Sequence, residues 1–387
     1  MKNVFLKNLN IFKEIPKPIQ KLNWVVFVYY LGWGIVFPFL GIYLKERLEN
    51  YTSAATVMSL LYFFSVPWAL FLGEKEDQIP KKNILNFTLL LYLPFSFIFL
   101  SLKTLGQFLV LRAFHSGMST SFWATSEAYV RKYSPKDKAT LCISSFNAFM
   151  YLSLVIGGIA SGFLFKKFSF NIIYAISIFA FLAAILATFL HNNEKTYKKK
   201  ITIEKEIEDF LENKKLVKTT LVFAITMMIV AILDFTLPFV IKNLKGNPVQ
   251  IGFVYALFYI PLFSQIFFAF PKNKKRLFFF SVFLALTTFL AMFLMPTIPI
   301  ILAGSLIIGL AVASIIPIIS GKITLSLNKD KIGEQNAVVY AIKNLAMGIG
   351  YLGAGIIADL SQIQNVFIFG ALIVTLILFK SIKAGEF

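Results

Sequence analysis

The sequence is poor in charge, cysteine and histidine, and each scarcity excludes a class of protein. Only 15% of the 387 residues are charged, which is too few to cover the surface of a soluble domain of this size. The single cysteine, Cys142, rules out a disulfide framework. Two histidines and one cysteine also supply too few soft ligands for a structural zinc site. We therefore predict neither a metal site nor a cofactor.

The sequence also lacks the short motifs of the common enzyme classes. It contains no GxSxG, no HExxH and no phosphate-cradling loop. The stretch SGKIT around Lys322 differs from a phosphate loop because isoleucine follows the lysine and the upstream glycine is missing. We therefore predict that the protein is not an enzyme.

Apolar residues are abundant instead. They make up 58% of the sequence, and the mean hydropathy is +0.75. Charges are confined to short patches between apolar runs of about 20 residues, the length at which a helix crosses a bilayer. We predict an all-α, multi-pass integral membrane protein with twelve transmembrane helices, over residues 22–44, 53–72, 84–101, 105–130, 139–165, 171–190, 217–241, 250–270, 277–295, 297–321, 335–357 and 363–381.

Lysine and arginine are distributed unequally between the two sides of this predicted bundle. With the N-terminus inside, 29 of the 38 fall in inner segments and 7 in outer segments. The positive-inside rule then places both termini in the cytoplasm, with the protein in the inner or plasma membrane. This asymmetry and contact with anionic lipids explain the net charge of +19, so we predict no nucleic-acid partner.

A long polar segment divides the sequence nearly in half. We predict a cytoplasmic N-terminal tail at residues 1–21, a six-helix bundle at 22–190, a cytoplasmic linker at 191–216, and a second six-helix bundle with a short cytoplasmic tail at 217–387. The linker is either a solvated tether or partly a helix on the membrane surface, because apolar residues recur within it at helical spacing.

An internal repeat relates the two predicted bundles. The stretch KDKATLCISSFNAFMYLSLVIGGIASG begins at Lys136, and KDKIGEQNAVVYAIKNLAMGIGYLGAG begins at Lys329. The constant shift of 193 residues needs no gap. It aligns Gly157 with Gly350 and Gly162 with Gly355. Two repeats in the same orientation predict a pseudo-two-fold axis along the membrane normal.

Three further motifs resemble those of the major facilitator superfamily. The loop GEKEDQIPKK keeps the family's gating-loop pattern, although Pro80 stands where a glycine is usual. The fourth predicted helix carries LRAFHSG, similar to the family's arginine motif, with Arg112 lying 23 residues before Pro135. The fifth carries GGIASG, which resembles the antiporter motif but has Gly158 where proline is expected and Ser161 where glycine is expected.

The resemblance covers nearly the whole chain and implies a secondary transporter whose two six-helix bundles rock about a central site. It implies a gating role, with a solvated turn as the alternative, for Gly73, Asp77, Lys81 and Lys82. Glycines at helix interfaces would let helices approach closely and slide, as two rocking halves require, or would serve static packing. The glycines in question are Gly157, Gly158, Gly162, Gly350, Gly353 and Gly355.

Arg112 and His115 interrupt an otherwise apolar helix. A lipid-facing arginine at mid-span would cost several kcal/mol, so we expect Arg112 to face a wet cavity or an acid. The resemblance implies a role in proton or substrate handling, and the alternative is a structural pin bonded to backbone carbonyls. His115 lies on nearly the same helix face and is a second candidate for titration near neutral pH, or else a packing residue.

Asp234, in AILDFTLPF, is the clearest acid within a predicted helix. A carboxyl group there binds a proton reversibly unless a cation such as Arg112 keeps it charged. We predict a role in proton coupling or cation recognition, with a structural ion pair as the alternative. Glu127 is a further candidate, for which we also expect an interfacial salt bridge. Lys343 is expected to bind an anionic substrate or to pair with an acid.

Aromatic residues line the first predicted helix, which faces the central cavity in the family. They are Tyr29, Tyr30, Trp33 and Phe37. Aromatic walls bind amphipathic or aromatic solutes by stacking and by cation contacts.

These features predict a secondary transporter that works by alternating access and exports an amphipathic, drug-like molecule in a proton-coupled reaction. Its partners would be the small-molecule substrate, protons and membrane lipids, and we expect a monomer. One alternative is uptake or flipping of an organic anion or lipid through Arg112 and Lys343. Another is a receptor or structural protein that keeps the fold without transport.

The charge asymmetry gives a testable topology. With Cys142 replaced by serine, a cysteine at Lys245 should react with a membrane-impermeant thiol reagent in intact cells. A cysteine at Lys205 should react only after permeabilisation, because it lies on the other side of the seventh predicted helix. Labelling of both from the same side would contradict the predicted number of helices between them.

Overall fold

Helices form nearly all the regular structure of the part of the chain that the computed structural model describes. These residues are 14–69, 79–135, 138–191, 208, 210–264, 273–327 and 332–383, and they contain no strand. Most of the predicted tail and linker lies outside them. So do Gly73 and Asp77 of the predicted gating loop, whereas Lys81 and Lys82 begin a helix.

Seven α-helices with defined bounds lie in the described part of the N-terminal bundle. They are α1 (Lys17–Leu48), α2 (Tyr51–Phe63), α3 (Lys81–Leu91), α4 (Phe95–Ser101), α5 (Leu105–Tyr133), α6 (Ala139–Phe168) and α7 (Tyr174–Ala187). Helices α3 and α4 together form the third predicted span. The span is interrupted just before α4 because Pro94 has no amide hydrogen to donate. A 3₁₀ turn, Ser169–Ile173, joins α6 to α7.

The C-terminal bundle contains six α-helices. They are α8 (Lys214–Asn243), α9 (Pro248–Phe263), α10 (Lys274–Leu294), α11 (Ile298–Ser326), α12 (Ile332–Leu360) and α13 (Val366–Lys383). A 3₁₀ turn, Ile363–Asn365, precedes α13. Each predicted span corresponds to one of these helices or to the α3–α4 pair, so the all-α fold of two six-helix bundles is confirmed.

Many of these helices have the length and apolarity of membrane spans. Among the described residues, seven stretches are long and apolar enough to cross a bilayer, namely Lys17–Leu48, Lys81–Ser101, Leu141–Ala187, Lys214–Asn243, Lys274–Leu294, Ile298–Ser326 and Ala337–Leu360. Pro248–Phe263 and Ile363–Phe379 are shorter and also apolar. Helix α5 is long enough, but it carries Arg112, His115 and many hydroxyl side chains, which suits a helix shielded from lipid.

The two bundles meet through two pairs of helices. Helix α6 packs against α1 in its own bundle and against α9 in the other. Helix α12 packs against α8 in its own bundle and against α2 in the other. Because the fifth and eleventh spans make equivalent contacts, the arrangement has the pseudo-two-fold symmetry that the repeat predicts.

The second glycine of each repeat lies between the bundles. A Cβ atom on Gly162 of α6 would lie 2.5 Å from Cα of Val249 in α9. A Cβ atom on Gly355 of α12 would overlap the side chain of Ala55 in α2. Backbones can approach this closely only where one partner has no side chain. These two glycines therefore set the spacing between the bundles.

Three of the other predicted interface glycines pack within their own bundle. Gly157 lies against Gly34 of α1, and Gly350 lies against Met228 of α8. Gly353 faces Phe369 of α13 at 3.1 Å. Gly157 and Gly350 thus match the static-packing alternative, since the first glycine of each repeat joins helices of one bundle.

Gly158 lies between the bundles, as expected. Its Cβ would meet the ring of Tyr255 at 3.2 Å. The absence of a side chain at Gly158 thus leaves room for an aromatic ring of α9.

Polar contacts join the two bundles at one end of the protein, which we call the closed end. Asp359 at the end of α12 accepts hydrogen bonds from the backbone amides of Tyr51 (3.0 Å) and Thr52 (2.7 Å) at the start of α2. The carboxylate therefore lies at the positive end of a helix of the other bundle. Lys242 of α8 forms an ion pair with Glu46 of α1 at 2.6 Å.

A cavity of about 710 Å³ lies away from the bundle interface, between α3, α4 and α5. Trp68, Phe87, Pro94 and Phe114 are among its mostly apolar lining residues. Phe87 and Phe114 are more than 60% exposed, so the cavity opens toward the outside of the helix bundle. It presents few polar groups to a solute.

The close glycine contact gives a prediction about the closed end. Gly355→Ala should destabilise the contact by about 1–3 kcal/mol, because the added methyl group meets α2. We expect a lower melting temperature and, between spin labels at Lys103 and Lys245, a longer mean distance. Gly106→Ala is the matched control, since nothing lies within 4 Å of its added methyl group. Equal behaviour of the two variants would show that the glycine contact does not hold the closed end.

Candidate functional site

Asp234 lies deep in α8 and is held by tyrosine hydroxyl groups. Its side chain is 8% exposed. The hydroxyl of Tyr259 in α9 lies 2.8 Å from Oδ1 and 2.9 Å from Oδ2 of the carboxylate. Tyr351 of α12 donates to Oδ2 at 3.2 Å. Neutral donors therefore satisfy the carboxyl group, and no ion pair joins it to a basic residue in the described part of the chain.

A cluster of five tyrosines surrounds this carboxyl group, and we call it the tyrosine cluster. Its members are Tyr62, Tyr151, Tyr255, Tyr259 and Tyr351. The ring of Tyr62 stacks on that of Tyr351 with centroids 5.4 Å apart, and Tyr151 stacks on Tyr259 at 6.0 Å. The ring of Tyr255 lies 4.7 Å from that of Tyr259. The cluster therefore joins α2 and α6 of one bundle to α9 and α12 of the other.

Sequence reasoning missed the tyrosine cluster. Tyr255 and Tyr259 are separated by four residues, a spacing that places both on one face of α9. Tyr351 occupies the position that the repeat aligns with Gly158. Both signals were present in the sequence, but only the packing of the bundles shows that these residues meet at Asp234.

The buried side chain of Arg112 contacts the backbone of α2 and the side chain of His115. It is 1% exposed, and its Nε donates to the carbonyl of Val57 in α2 at 3.0 Å. Its Nη1 lies 2.6 Å from Nδ1 of His115, which must accept because a guanidinium only donates. In the described residues it forms no ion pair with an acid. The expected acid partner is therefore absent from this part of the chain, and the contacts are those of the structural-pin alternative.

Ser116 continues the same line of contacts one turn further along α5. Its hydroxyl donates to the carbonyl of Leu61 at 2.6 Å. Arg112 and Ser116 are four residues apart, as are Val57 and Leu61, so two successive turns of α5 are bonded to two successive turns of α2. The serine that replaces the family's usual glycine therefore has a structural role.

His115 is packed among aromatic rings. It lies 4.9 Å from the indole of Trp33 with the two rings nearly parallel, and it is 1% exposed. The rings of Tyr92 and Phe95 enclose it from other directions. These contacts match the packing alternative for His115.

The predicted cavity aromatics of α1 divide into two pairs. Tyr29 and Trp33 are 3% and 4% exposed and pack within the N-terminal bundle. Tyr30 and Phe37 are partly exposed. The ring of Phe37 stacks on that of Tyr255 across the bundle interface, with centroids 6.3 Å apart. Of these four residues, only Tyr30 and Phe37 thus keep partly exposed surface.

Glu127 forms a further polar contact between the bundles. It accepts a hydrogen bond from Arg131 at 3.1 Å, which is the expected salt bridge, although both residues lie on α5. The hydroxyl of Tyr340 in α12 donates to its other oxygen. Nζ of Lys343 lies over the ring of Tyr340, 4.1 Å from its centroid. Lys343 forms no ion pair with an acid among the described residues.

In the described residues, neutral donors surround the carboxyl group of Asp234, and Lys343 lies on α12 eight residues before Tyr351. No group of three or more histidine, cysteine, aspartate or glutamate residues in the described ranges is placed to hold a metal ion. The arrangement can bind and release a proton at Asp234, and aromatic rings can contact a solute beside it.

Comparison with known proteins agrees with this architecture. Residues 22–271 and residues 219–383 match the family model of the Major Facilitator Superfamily. No curated protein sequence matches the chain.

Solved transporter structures have the same fold. The crystal structure of the human organic anion transporter MFSD10 (TETRAN) has a TM-score of 0.70 at 15% identity, covering 94% of this chain and 99% of that one. The nucleoside transporter NupG has a TM-score of 0.73 at 12% identity, covering 96% and 100%. A point mutant of the same nucleoside transporter has a TM-score of 0.77, also at 12% identity, covering 94% and 98%.

The contacts of Arg112 predict a structural effect of substitution. Arg112→Lys keeps the charge but removes the guanidinium geometry that reaches both Val57 and His115. We expect a loss of stability of about 1.5–3 kcal/mol, visible as a lower melting temperature in detergent. Arg131→Lys is the control, because that side chain is 41% exposed and its ion pair contributes little. A wild-type melting temperature for Arg112→Lys would show that the pin is not needed for the fold.

Proposed function

Because the chain belongs to the major facilitator superfamily, we propose that it couples a proton bound at Asp234 to the movement of an amphipathic organic solute. The family and the similar structures make the protein a multi-pass membrane transporter and not an enzyme. The proposed reaction is export of the solute in exchange for protons, by alternating access of a central site.

One observation carries the proposal. Asp234 lies at the meeting point of the two bundles, and in the described residues it is bonded to Tyr259 and Tyr351 with no cation at ion-pair distance. A buried carboxylate without a cation is costly, so a proton can neutralise it at moderate free-energy cost. A group that changes charge at this point can bias the equilibrium between bundle arrangements.

The surroundings of Asp234 support an amphipathic, aromatic solute. Tyr30, Phe37 and Tyr62 are partly exposed and present rings together with hydroxyl groups. Rings bind flat apolar groups by stacking, and the hydroxyl groups can bond to polar edges of the same molecule. The acid adds a preference for a positive charge when it is deprotonated.

Under the predicted topology, the end that carries Asp359 and Glu46 faces outward. In the proposed exchange, the solute would enter from the cytoplasm while this end is closed, and protons would enter from outside while it is open.

A second candidate is uptake of an organic anion, and Lys343 favours it. Its ammonium group lacks a carboxylate partner in the described residues, whereas the donors of Arg112 already contact Val57 and His115. The similar human structure is that of an organic anion transporter. In this candidate Lys343, and not Arg112, would bind the anion.

The test uses purified protein in liposomes with an imposed pH gradient. Wild type should move ethidium, an aromatic cation, against its concentration gradient when the compartment that receives it is acidic. Asp234→Asn should lose gradient-driven accumulation by at least tenfold, because the amide cannot take up a proton, while downhill equilibration continues. Gradient-driven accumulation by Asp234→Asn at the wild-type level would exclude the coupling role.

Two controls make the result specific. Glu212→Gln removes an exposed carboxylate outside the tyrosine cluster and outside the closed end, and should accumulate ethidium like wild type. Fluorescein, in place of ethidium, tests the organic-anion candidate. Transport of fluorescein that is lost in Lys343→Gln and kept in Asp234→Asn would favour the second candidate.

A further inference from the structure

Two tyrosines connect Asp234 to the opposite bundle. Tyr351 donates to Asp234 and stacks on Tyr62 of α2, with the rings inclined by 16°. Tyr259 donates to both carboxylate oxygens and stacks on Tyr151 of α6, with the rings inclined by 28°. These stacks lie on α2–α12 and α6–α9, the two helix pairs with the most extensive contact between the bundles. Each of these two contacts thus has one ring whose hydroxyl group is bonded to the same acid.

We propose that Tyr259 and Tyr351 are positioning residues that transmit the charge state of Asp234 to both contacts between the bundles. The inference rests on the proposed function of Asp234 and adds the route by which its charge moves the helices. A carboxylate accepts a hydrogen bond from each hydroxyl and fixes the rotation of each ring. A protonated carboxyl group accepts more weakly and itself becomes a donor, so at least one ring is released from its stack. Protonation therefore loosens the contact between the bundles.

The groups that face Asp234 are mostly other tyrosines. From the C-terminal bundle, α9 contributes Tyr255 and Tyr259, and α12 contributes Tyr351. From the N-terminal bundle, Tyr62 and Tyr151 interact with its charge. None of these groups carries a positive charge, so hydroxyl donation is the main stabilisation of the carboxylate.

Charged groups on the other neighbouring helices lie further away. Arg112 of α5 interacts electrostatically with Tyr62 and Tyr351 without pairing with the acid. Tyr30 of α1 interacts with Tyr62 and Tyr151. The titratable residues of α11 and α13 lie in the last turns of those helices, at Lys322, Lys380 and Lys383.

Tyr255 provides a matched control in the same cluster. Its ring touches that of Tyr259 and its hydroxyl is buried, but that hydroxyl has no hydrogen-bond partner among the described residues. Tyr255→Phe thus removes one oxygen atom from the cluster without removing a bond to Asp234.

The experiment measures the distance between spin labels at Lys103 and Lys245 as a function of pH, without added solute. Both positions are exposed and lie on different bundles at the closed end. In wild type we expect the closed population to fall as the pH is lowered through one midpoint. Tyr351→Phe and Tyr259→Phe should each move that midpoint to higher pH by about one unit, because each removes a donor to the carboxylate.

The partner residues should behave differently. Tyr62→Leu and Tyr151→Leu keep the bonds to Asp234 but remove the stacks. They should leave the midpoint in place and reduce the pH-dependent change in the closed population at least twofold. Tyr255→Phe should have the wild-type midpoint and the wild-type change in the closed population.

The outcomes separate the inference from the proposed function. If Asp234→Asn keeps the wild-type pH dependence, another group is titrating and the proposed function fails. If Asp234→Asn abolishes it while Tyr259→Phe and Tyr351→Phe keep the wild-type midpoint, only the inference fails. The inference also fails if Tyr62→Leu and Tyr151→Leu show the wild-type pH-dependent change in the closed population. These two variants provide the test if Tyr259→Phe or Tyr351→Phe does not fold.

Discussion

The close approach of helix backbones between the bundles is the constraint on which the site depends. Gly162 lies against α9, and Gly355 lies against α2. Any side chain at these positions would push the helix pairs apart. The stacks of Tyr151 on Tyr259 and of Tyr62 on Tyr351 belong to the same helix pairs. The glycines therefore bring together the rings that surround Asp234, although none of them contacts the acid.

The two buried charges nearest the interface are satisfied in different ways. Arg112 bonds to a backbone carbonyl and to His115, all within the N-terminal bundle. These contacts link α2 to α5 and do not change when the bundles move relative to one another. Among the described residues, Asp234 is bonded to hydroxyl groups, and two stacked tyrosines extend that contact to the other bundle. The partners of Arg112 thus lie within one bundle, whereas the partners of Asp234 are packed against rings of the opposite bundle.

The sequence predicted the helices well because the bilayer leaves few choices. Apolar runs of spanning length must become helices, and the 193-residue repeat fixed their pairing into two bundles. Asp234 was also identified, because an acid in an apolar run stands out. The partners were harder to predict. Arg112 was expected to face water or an acid, since the sequence does not show that a carbonyl of α2 and His115 can satisfy it.

The tyrosine cluster shows the limit of such reasoning. Its members come from α2, α6, α9 and α12, and no spacing along the sequence relates them all. Gly353 resembled the interface glycines in sequence but contacts Phe369 of its own bundle, because the direction that a helix face takes depends on tertiary packing. The residues that stand out in an apolar run were therefore predictable, whereas the partners of each residue, within a bundle or between the bundles, were not.

The two polar contacts at the closed end differ in their sensitivity to ionic strength. Glu46 and Lys242 are both about 45% exposed, so dissolved salt screens their attraction. Asp359 instead bonds directly to two backbone amides of α2 at short range, where mobile ions have little access. A higher salt concentration should therefore weaken the ion pair and leave the hydrogen bonds of Asp359 unchanged. The two bundles of such a protein remain joined by these hydrogen bonds at high ionic strength, and the ion pair strengthens their contact at low ionic strength.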